Sequence, residues 1–367
     1  MAEGKFLGTA IGSMPYSDPK YACEVSLAKL DCPIWPQLSH FGLYEQMEIQ
    51  YSEGMPCVLI DEVKGRMYFD TSGDYSEAFA EFYENYMVAM DEDEGTGDCS
   101  AMAISEKYSK GIYAMEAALK AKGGKIPWAK VQTTGPCSFA LTIVDENKRA
   151  MWYNEEFRDV IIKGLAMKCR WQIQEFKKYA DNIICFIDEP ILSAFGSSTY
   201  VSVARDEVVA ALEETIDAVH ADGALAGIHC CGNTEWSILI DAGVDIVNFD
   251  AFEFGETIAM YPEKVKAHLE KGGLLAWGVV PTSTEIREQN VDSLEAQLEK
   301  VMDVLAAAGI DKDLIVKQAI ITPSCGTGSM AEADADKVFE MVSELSKRMK
   351  EKYAFYCPPM SCCCPVQ

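Results

Sequence analysis

Short apolar runs rich in β-branched residues alternate with longer stretches of helical period along most of the chain. This alternation limits the fold more than any other feature. Strands separated by ten or more helical residues do not pair through tight turns; they pair in parallel, with the intervening helices crossing over to cover the sheet. Eight runs read as strands: Lys5–Ile11, Cys57–Asp61, Ala129–Thr133, Ile183–Asp188, Leu225–Cys230, Val244–Phe249, Leu274–Val279 and Gln318–Thr322. Helical periodicity fills Asn154–Tyr179, Asp206–His220, Ser293–Ala308 and Glu332–Glu351. Eight strands of one style, alternating with helices, predict an α/β protein built as a single (β/α)8 barrel over residues 1–356. The stretch 62–125 does not fit one simple helix and is expected as an insertion, with the acidic Asp91-Glu92-Asp93-Glu94 a solvated loop. Residues 357–367 form a Cys-rich tail beyond the barrel.

The residues with chemical potential follow the strands directly: Gly12-Ser13, Asp61-Glu62, Thr134-Gly135-Pro136, Asp188-Glu189-Pro190, His229-Cys230-Cys231-Gly232, Asp250 and Cys325-Gly326. A parallel barrel gathers its strand ends on one face, the face that carries active sites. Positions more than 300 residues apart are therefore expected to converge.

His229 is one of only four histidines. In extended chain, residues i and i+2 share a face, so His229 and Cys231 can grip one ion while Cys230 turns away. Cys325, just past the last strand, offers a second sulfur, and Asp250 an oxygen, with Glu253 as the alternative. One imidazole, two thiolates and a carboxylate favour zinc over hard cations. The competing reading is that these cysteines are small buried apolar groups.

Composition narrows the partners. The formal net charge is −26 with no cluster of Lys or Arg, which argues against nucleic acid and against an anionic membrane surface. No run approaches the roughly 18 apolar residues of a membrane span, and the first dozen residues lack the basic start of an export signal. Fourteen cysteines without such a signal suit reduced thiols and a cytoplasmic location better than a disulfide framework.

Four segments, in order, resemble the C-terminal catalytic barrel of cobalamin-independent methionine synthase, within the uroporphyrinogen-decarboxylase-like superfamily: Ile11-Gly12-Ser13-Met14-Pro15, Ile187-Asp188-Glu189-Pro190, His229-Cys230-Cys231 and Pro323-Ser324-Cys325-Gly326. The resemblance implies a zinc-dependent thiol methyltransferase with His229, Cys231 and Cys325 as ligands and Asp250 where the family has a glutamate. It implies that Asp188 is the catalytic-site residue holding the amino group of homocysteine. Ser13, with Ile11 and Gly12, would take its carboxylate, and Glu189 would stand beside them. Read without the family, Asp188 is a helix N-cap and Gly12-Ser13 a turn. The family's second acid for the amine has no clear counterpart; Asp61 and Glu62 are the candidates. The Gly232-Asn233-Thr234 continuation is similar to corrinoid-dependent thiol methyltransferases, for which coenzyme M is another acceptor.

Zinc is thus the expected cofactor, a small thiol the substrate, and methylcobalamin or a methylated corrinoid protein the methyl donor. A methyl–cobalt bond needs little activation, whereas a folate methyl requires an acid, and His40, His220 and His268 are expected away from the strand ends. One barrel accounting for 367 residues also leaves no second barrel for a folate tail. A porphyrinogen decarboxylase would need cations near the first strand, yet no arginine precedes Arg66.

Overall fold

A computed structural model describes residues 3–90 and 97–355. The acidic run 91–94 and the Cys-rich tail 357–367 lie outside the described residues. The strands, in chain order, are β1 (Leu7–Gly8), β2 (Val58–Asp61), β3 (Arg66–Phe69), β4 (Ile126–Thr134), β5 (Ala180–Asp188), β6 (Leu225–Cys230), β7 (Ile246–Phe249), β8 (Leu274–Val280) and β9 (Ala319–Pro323). Seven of them form one parallel sheet in the order β1-β9-β8-β7-β6-β5-β4, which places the first strand beside the last and leaves β1 and β4 as the edges.

The expected second barrel strand is not part of this sheet. Val58–Asp61 pairs antiparallel with Arg66–Phe69 in a separate hairpin. Asp61 accepts the Lys64 N–H at 3.1 Å and Gly65 takes φ +61°, so the local sequence closes a turn instead of feeding a crossover helix. Leu59 stays 43% exposed, as suits a one-faced strand and not a parallel strand covered on both sides.

The gap between β1 and β4 is bridged by a segment not read as a strand, residues 32–37. Cys32 N–H donates to Gly8 O (3.1 Å) and Gln37 N–H to Gly12 O (3.0 Å); Lys130 N–H donates to Pro33 O (2.8 Å). Parallel bridges join Ser13 to Gln37 and Ile34 to Lys130. Pro33 and Pro36 lack the N–H that a ladder needs, so the segment pairs at isolated points.

Apolar alternation divides the core in two. Ile11, Cys32, Ile184, Phe186, Ile246, Leu274, Ala276 and Ile320 pack together on the inner face of the sheet. Intervening residues such as Cys185, Ile187, Ile228, Cys230, Val247 and Phe249 join the larger cluster beneath the helices. Glu155–Phe176 is capped by Asn154, whose side chain accepts from Phe157 N–H. Arg205–Ala221, Val291–Ala307 and Glu332–Lys352 match the periodicity of the sequence to within a few residues. The stretch 62–125 contains the rest of the hairpin, helix Ser76–Ala89 and helix Lys110–Lys122, which leads into β4. Among the described residues no helix is long and apolar enough to cross a membrane.

Candidate metal and thiol site

Register sets the site. Thr134, Asp188, His229 and Asn248 are successive partners across β4, β5, β6 and β7, so their side chains emerge in a row on the inner face. His229 and Cys231 project at the end of β6, and Cys325 arrives from the loop after β9. The ligand atoms of these three residues lie within 4.8 Å of one another. Cys230 faces the opposite way into the outer core, its thiol donating to Gly232 O.

His229 is held by its far nitrogen. Its Nδ1 stands 2.5 Å from Asn248 Oδ1, and Asn248 Nδ2 donates to Ala276 O (2.9 Å) and Thr322 Oγ1 (2.8 Å). With the amide nitrogen committed to a carbonyl, Oδ1 must accept, so Nδ1 carries the proton and the Nε2 lone pair faces the sulfurs. Nε2 is buried without a hydrogen-bond partner among the described residues, as are Asp188 Oδ1 and Thr134 Oγ1. Buried polar atoms are normally paired; three orphans at one level of the sheet mark a place that a ligand completes.

Electrostatics point to the same place. The Cys325 thiol and the His229 ring hold the Cys231 sulfur down, to about 4, while Cys325 is pushed up by its neighbour Cys231 and by burial. Burial works to lower His229, but Cys231 and Asp188 raise it. Burial pushes Asp188 up to about 6, against the pull of Lys130 and His229. The three ligand candidates thus share protons that a divalent cation would displace. The donor set is soft, and tetrahedral ligands on zinc stand roughly 3.5–4 Å apart, compatible with the cluster.

Asp250 is not part of that cluster. Its Oδ1 accepts the N–H groups of Phe252 and Glu253, both at 2.9 Å, closing the turn after β7, and neither Asp250 nor Glu253 joins the ligand group. Glu189 also departs from expectation. Fully buried, it turns away to the N-terminus of helix Pro136–Thr142, accepting from Cys137 N–H (2.8 Å), Ser138 N–H (2.7 Å) and Ser138 Oγ (2.7 Å). The fit explains Gly135, where a Cβ would stand 2.1 Å from the Glu189 carboxyl carbon. Asp61 is occupied by Lys64 and Arg66 in the hairpin turn, and Glu62 by Tyr44; neither stands with Asp188.

Ile11-Gly12-Ser13 lies against the loop of Cys325. Thr327 donates to Ser13 O through its N–H (2.9 Å) and its hydroxyl (3.0 Å), and Gly328 N–H donates to Ser13 Oγ (3.3 Å). A Cβ on Gly326 would fall 2.1 Å from Ser13 Oγ, so the two loops meet only because position 326 is glycine. His40, expected to be remote, sits at this mouth, its Nε2 3.0 Å from Gly328 O. His220 and His268 are remote, pairing with Asp245 (2.7 Å) and Leu274 O (3.3 Å) near the strand starts.

Sequence reasoning placed Thr134 at a strand end but missed Lys130, Gln132 and Asn248. The signal was present as polar residues at period two, Lys130-x-Gln132-x-Thr134, inside an apolar strand, and as a lone Asn in Ile246-Val247-Asn248-Phe249.

Sheet and site together define an α/β protein related to the barrel class, with a soft-ligand cluster at the carboxyl ends of its parallel strands. Over nearly its whole length the chain is similar in fold to a methyltransferase from Methanosarcina mazei, at 16% identity, covering 96% of this chain and 95% of that one with a TM-score of 0.56. A B12-independent methionine synthase from Shewanella sp. W3-18-1, in complex with selenomethionine, aligns over 66% of this chain and 68% of its own at 13% identity; its TM-score of 0.46 is too low to bear on function. No family model matches the chain, and no curated protein matches it in sequence.

Proposed function

We propose that the protein is a zinc-dependent methyltransferase acting on a small thiol. The observation that carries this reading is the convergence of His229, Cys231 Sγ and Cys325 Sγ, with Asp188 Oδ1 at the same level of the sheet and without a hydrogen-bond partner among the described residues. Three protein ligands leave a fourth position for substrate, as catalytic zinc sites do. When bound, zinc supplies the acidity that keeps a substrate thiol as the nucleophilic thiolate near neutral pH.

The chain's own residues then select the acceptor. Asp188 Oδ1 accepts from an ammonium group, a charge-assisted contact in a buried setting. Gly12 and Ser13 N–H have no hydrogen-bond partner among the described residues and can donate to a carboxylate. A thiol carrying both groups is an amino acid, so homocysteine is the preferred acceptor; coenzyme M has no ammonium for Asp188. The isolated bridges that segment 32–37 makes to Ser13 and Lys130 support reading it as the eighth position of a barrel around this site.

For the methyl donor, methylcobalamin or a methylated corrinoid protein is preferred, because the acidic chain offers little attraction to a polyanionic folate. His40, whose Nε2 stands 3.0 Å from Gly328 O beside the Ser13 turn, is a candidate acid for a folate donor. Ten described cysteines are all free, in keeping with a reducing compartment and the cytoplasmic reading.

The test is metal analysis followed by an assay of homocysteine methylation with free methylcobalamin and, separately, methyltetrahydrofolate. The expected result is one zinc per chain and turnover with the corrinoid. Cys231→Ser and Cys325→Ser should lose metal and activity together, and Cys230→Ser neither. Stoichiometric zinc retained by Cys325→Ser refutes the ligand set.

A further inference from the structure

Lys130 is fully buried on the inner face of β4, an arrangement that costs free energy unless the charge is fully employed. Its ammonium donates to the carbonyl of Ile11 and to Gln132 Oε1 (3.3 Å), and stands 4.4 Å over the Phe186 ring. Gln132 Nε2 passes the link on to Trp35 O at 3.0 Å. One cation therefore ties β4 to the Ile11-Gly12-Ser13 turn and, through Gln132, to segment 32–37. With two hydrogen bonds and a ring face, its donors are spent, so it does not itself contact a ligand.

The bond to Ile11 has a directional consequence. In a planar trans peptide the carbonyl of Ile11 and the N–H of Gly12 point in opposite directions. Fixing the carbonyl toward the ammonium therefore turns the Gly12 N–H away from it, and neither that N–H nor that of Ser13 is bonded to another described residue. The same turn is fixed from the other side by Thr327 and Gly328. A positive charge thus lies directly behind a turn with two free donors, while the nearest buried anion, Asp188, belongs to the ammonium side of the site.

We propose that Lys130 is a positioning residue that makes the Ile11–Ser13 turn a carboxylate subsite, by pinning the Ile11 carbonyl and lending the turn positive potential. This rests on the thiol-methyltransferase reading above and adds the residue that enforces an amino-acid acceptor. A simple staple across the gap between β1 and β4 would affect all thiols alike.

The experiment uses the cobalt(II)-substituted full-length protein, whose thiolate-to-metal absorption reports thiol binding without turnover. Dissociation constants are measured for homocysteine and for 3-aminopropanethiol, which lacks only the carboxylate. The wild type is expected to favour homocysteine by at least about tenfold, one carboxylate's interaction in a screened site. In Lys130→Met the preference should fall to within about threefold through loss of homocysteine affinity, with cobalt content unchanged and 3-aminopropanethiol, which shares only the Asp188 contact, changing much less. Gln132→Met keeps the lysine but removes one of its bonds, and should reduce the preference partway; it decides the matter if Lys130→Met fails to fold. A folded Lys130→Met that keeps the full preference, or variants that weaken both thiols equally, overturns the role of Lys130. A wild type that does not distinguish the two thiols overturns instead the carboxylate reading of the turn.

Discussion

Replacing Asn248 by Leu tests the site through a residue that touches neither metal nor substrate. Asn248 is wholly buried and makes three side-chain contacts, accepting from His229 Nδ1–H at 2.5 Å and donating to Ala276 O and Thr322 Oγ1 at 2.9 and 2.8 Å. Leucine fills similar volume and offers none of them. Each buried partner left unpaired costs about 1–3 kcal/mol, and Thr322 can rotate its hydroxyl elsewhere, so the two that remain should cost the fold roughly 2–6 kcal/mol. Zinc affinity should fall about 10- to 100-fold as well, because His229 loses the partner that fixes its tautomer and ring orientation. Asn248→Asp is the control: a carboxylate still accepts from Nδ1–H but faces the Ala276 carbonyl without a donor. It should lose stability while keeping most of the metal affinity. The assays are zinc competition against a chromophoric chelator and urea unfolding of the metal-free protein. An Asn248→Leu protein that loses the stability but binds zinc as tightly as wild type refutes the reasoning, since His229 would then not ligate through an Nε2 that Asn248 prepares.

Two further predictions separate structural from site roles. Glu189→Gln must present an NH2 where the carboxylate met the N–H groups of Cys137 and Ser138, and should cost about 2–3 kcal/mol in urea unfolding with thiol affinity unchanged. Weakened thiol binding without a stability loss would return Glu189 to the substrate. The hydrogen bond from His220 to Asp245 raises the pKa of His220 above its ordinary 6.5, outweighing burial. The folded state therefore binds the proton more tightly, and its stabilisation is full below about pH 6.5 and lost as pH rises through the raised value. The stability gap between wild type and His220→Gln should shrink from about pH 6 to pH 9; a gap that widens over that range contradicts the pairing.

Seven parallel strands and their covering helices were legible in the sequence. Continuous apolar runs such as Ile183–Ile187 and Leu225–Ile228 specify strands buried on both faces, and long amphipathic segments specify the covering helices, because both signals are local and repeated. The sequence by itself also determined that Cys231 and not Cys230 shares a face with His229, since side chains alternate along extended chain. The tertiary structure decided everything that depends on which strand meets which. Cys57–Asp61 has strand composition, yet its neighbours closed a hairpin, and the sheet was bridged instead by the proline-bearing segment 32–37, whose composition conceals pairing at isolated points. Glu189 follows Asp188 directly but turns the other way, because the free N–H groups of the helix at Pro136 lie on that side. Asp250 was taken up by the turn it begins. Lys130 and Asn248 read as ordinary polar residues in sequence; only the register of neighbouring strands aligns Asn248 with His229, and only the return of the first strand beside the last sets Lys130 beneath Ile11. Local chemistry fixes which residues can act, and the alignment of distant strands fixes which of them act on one another.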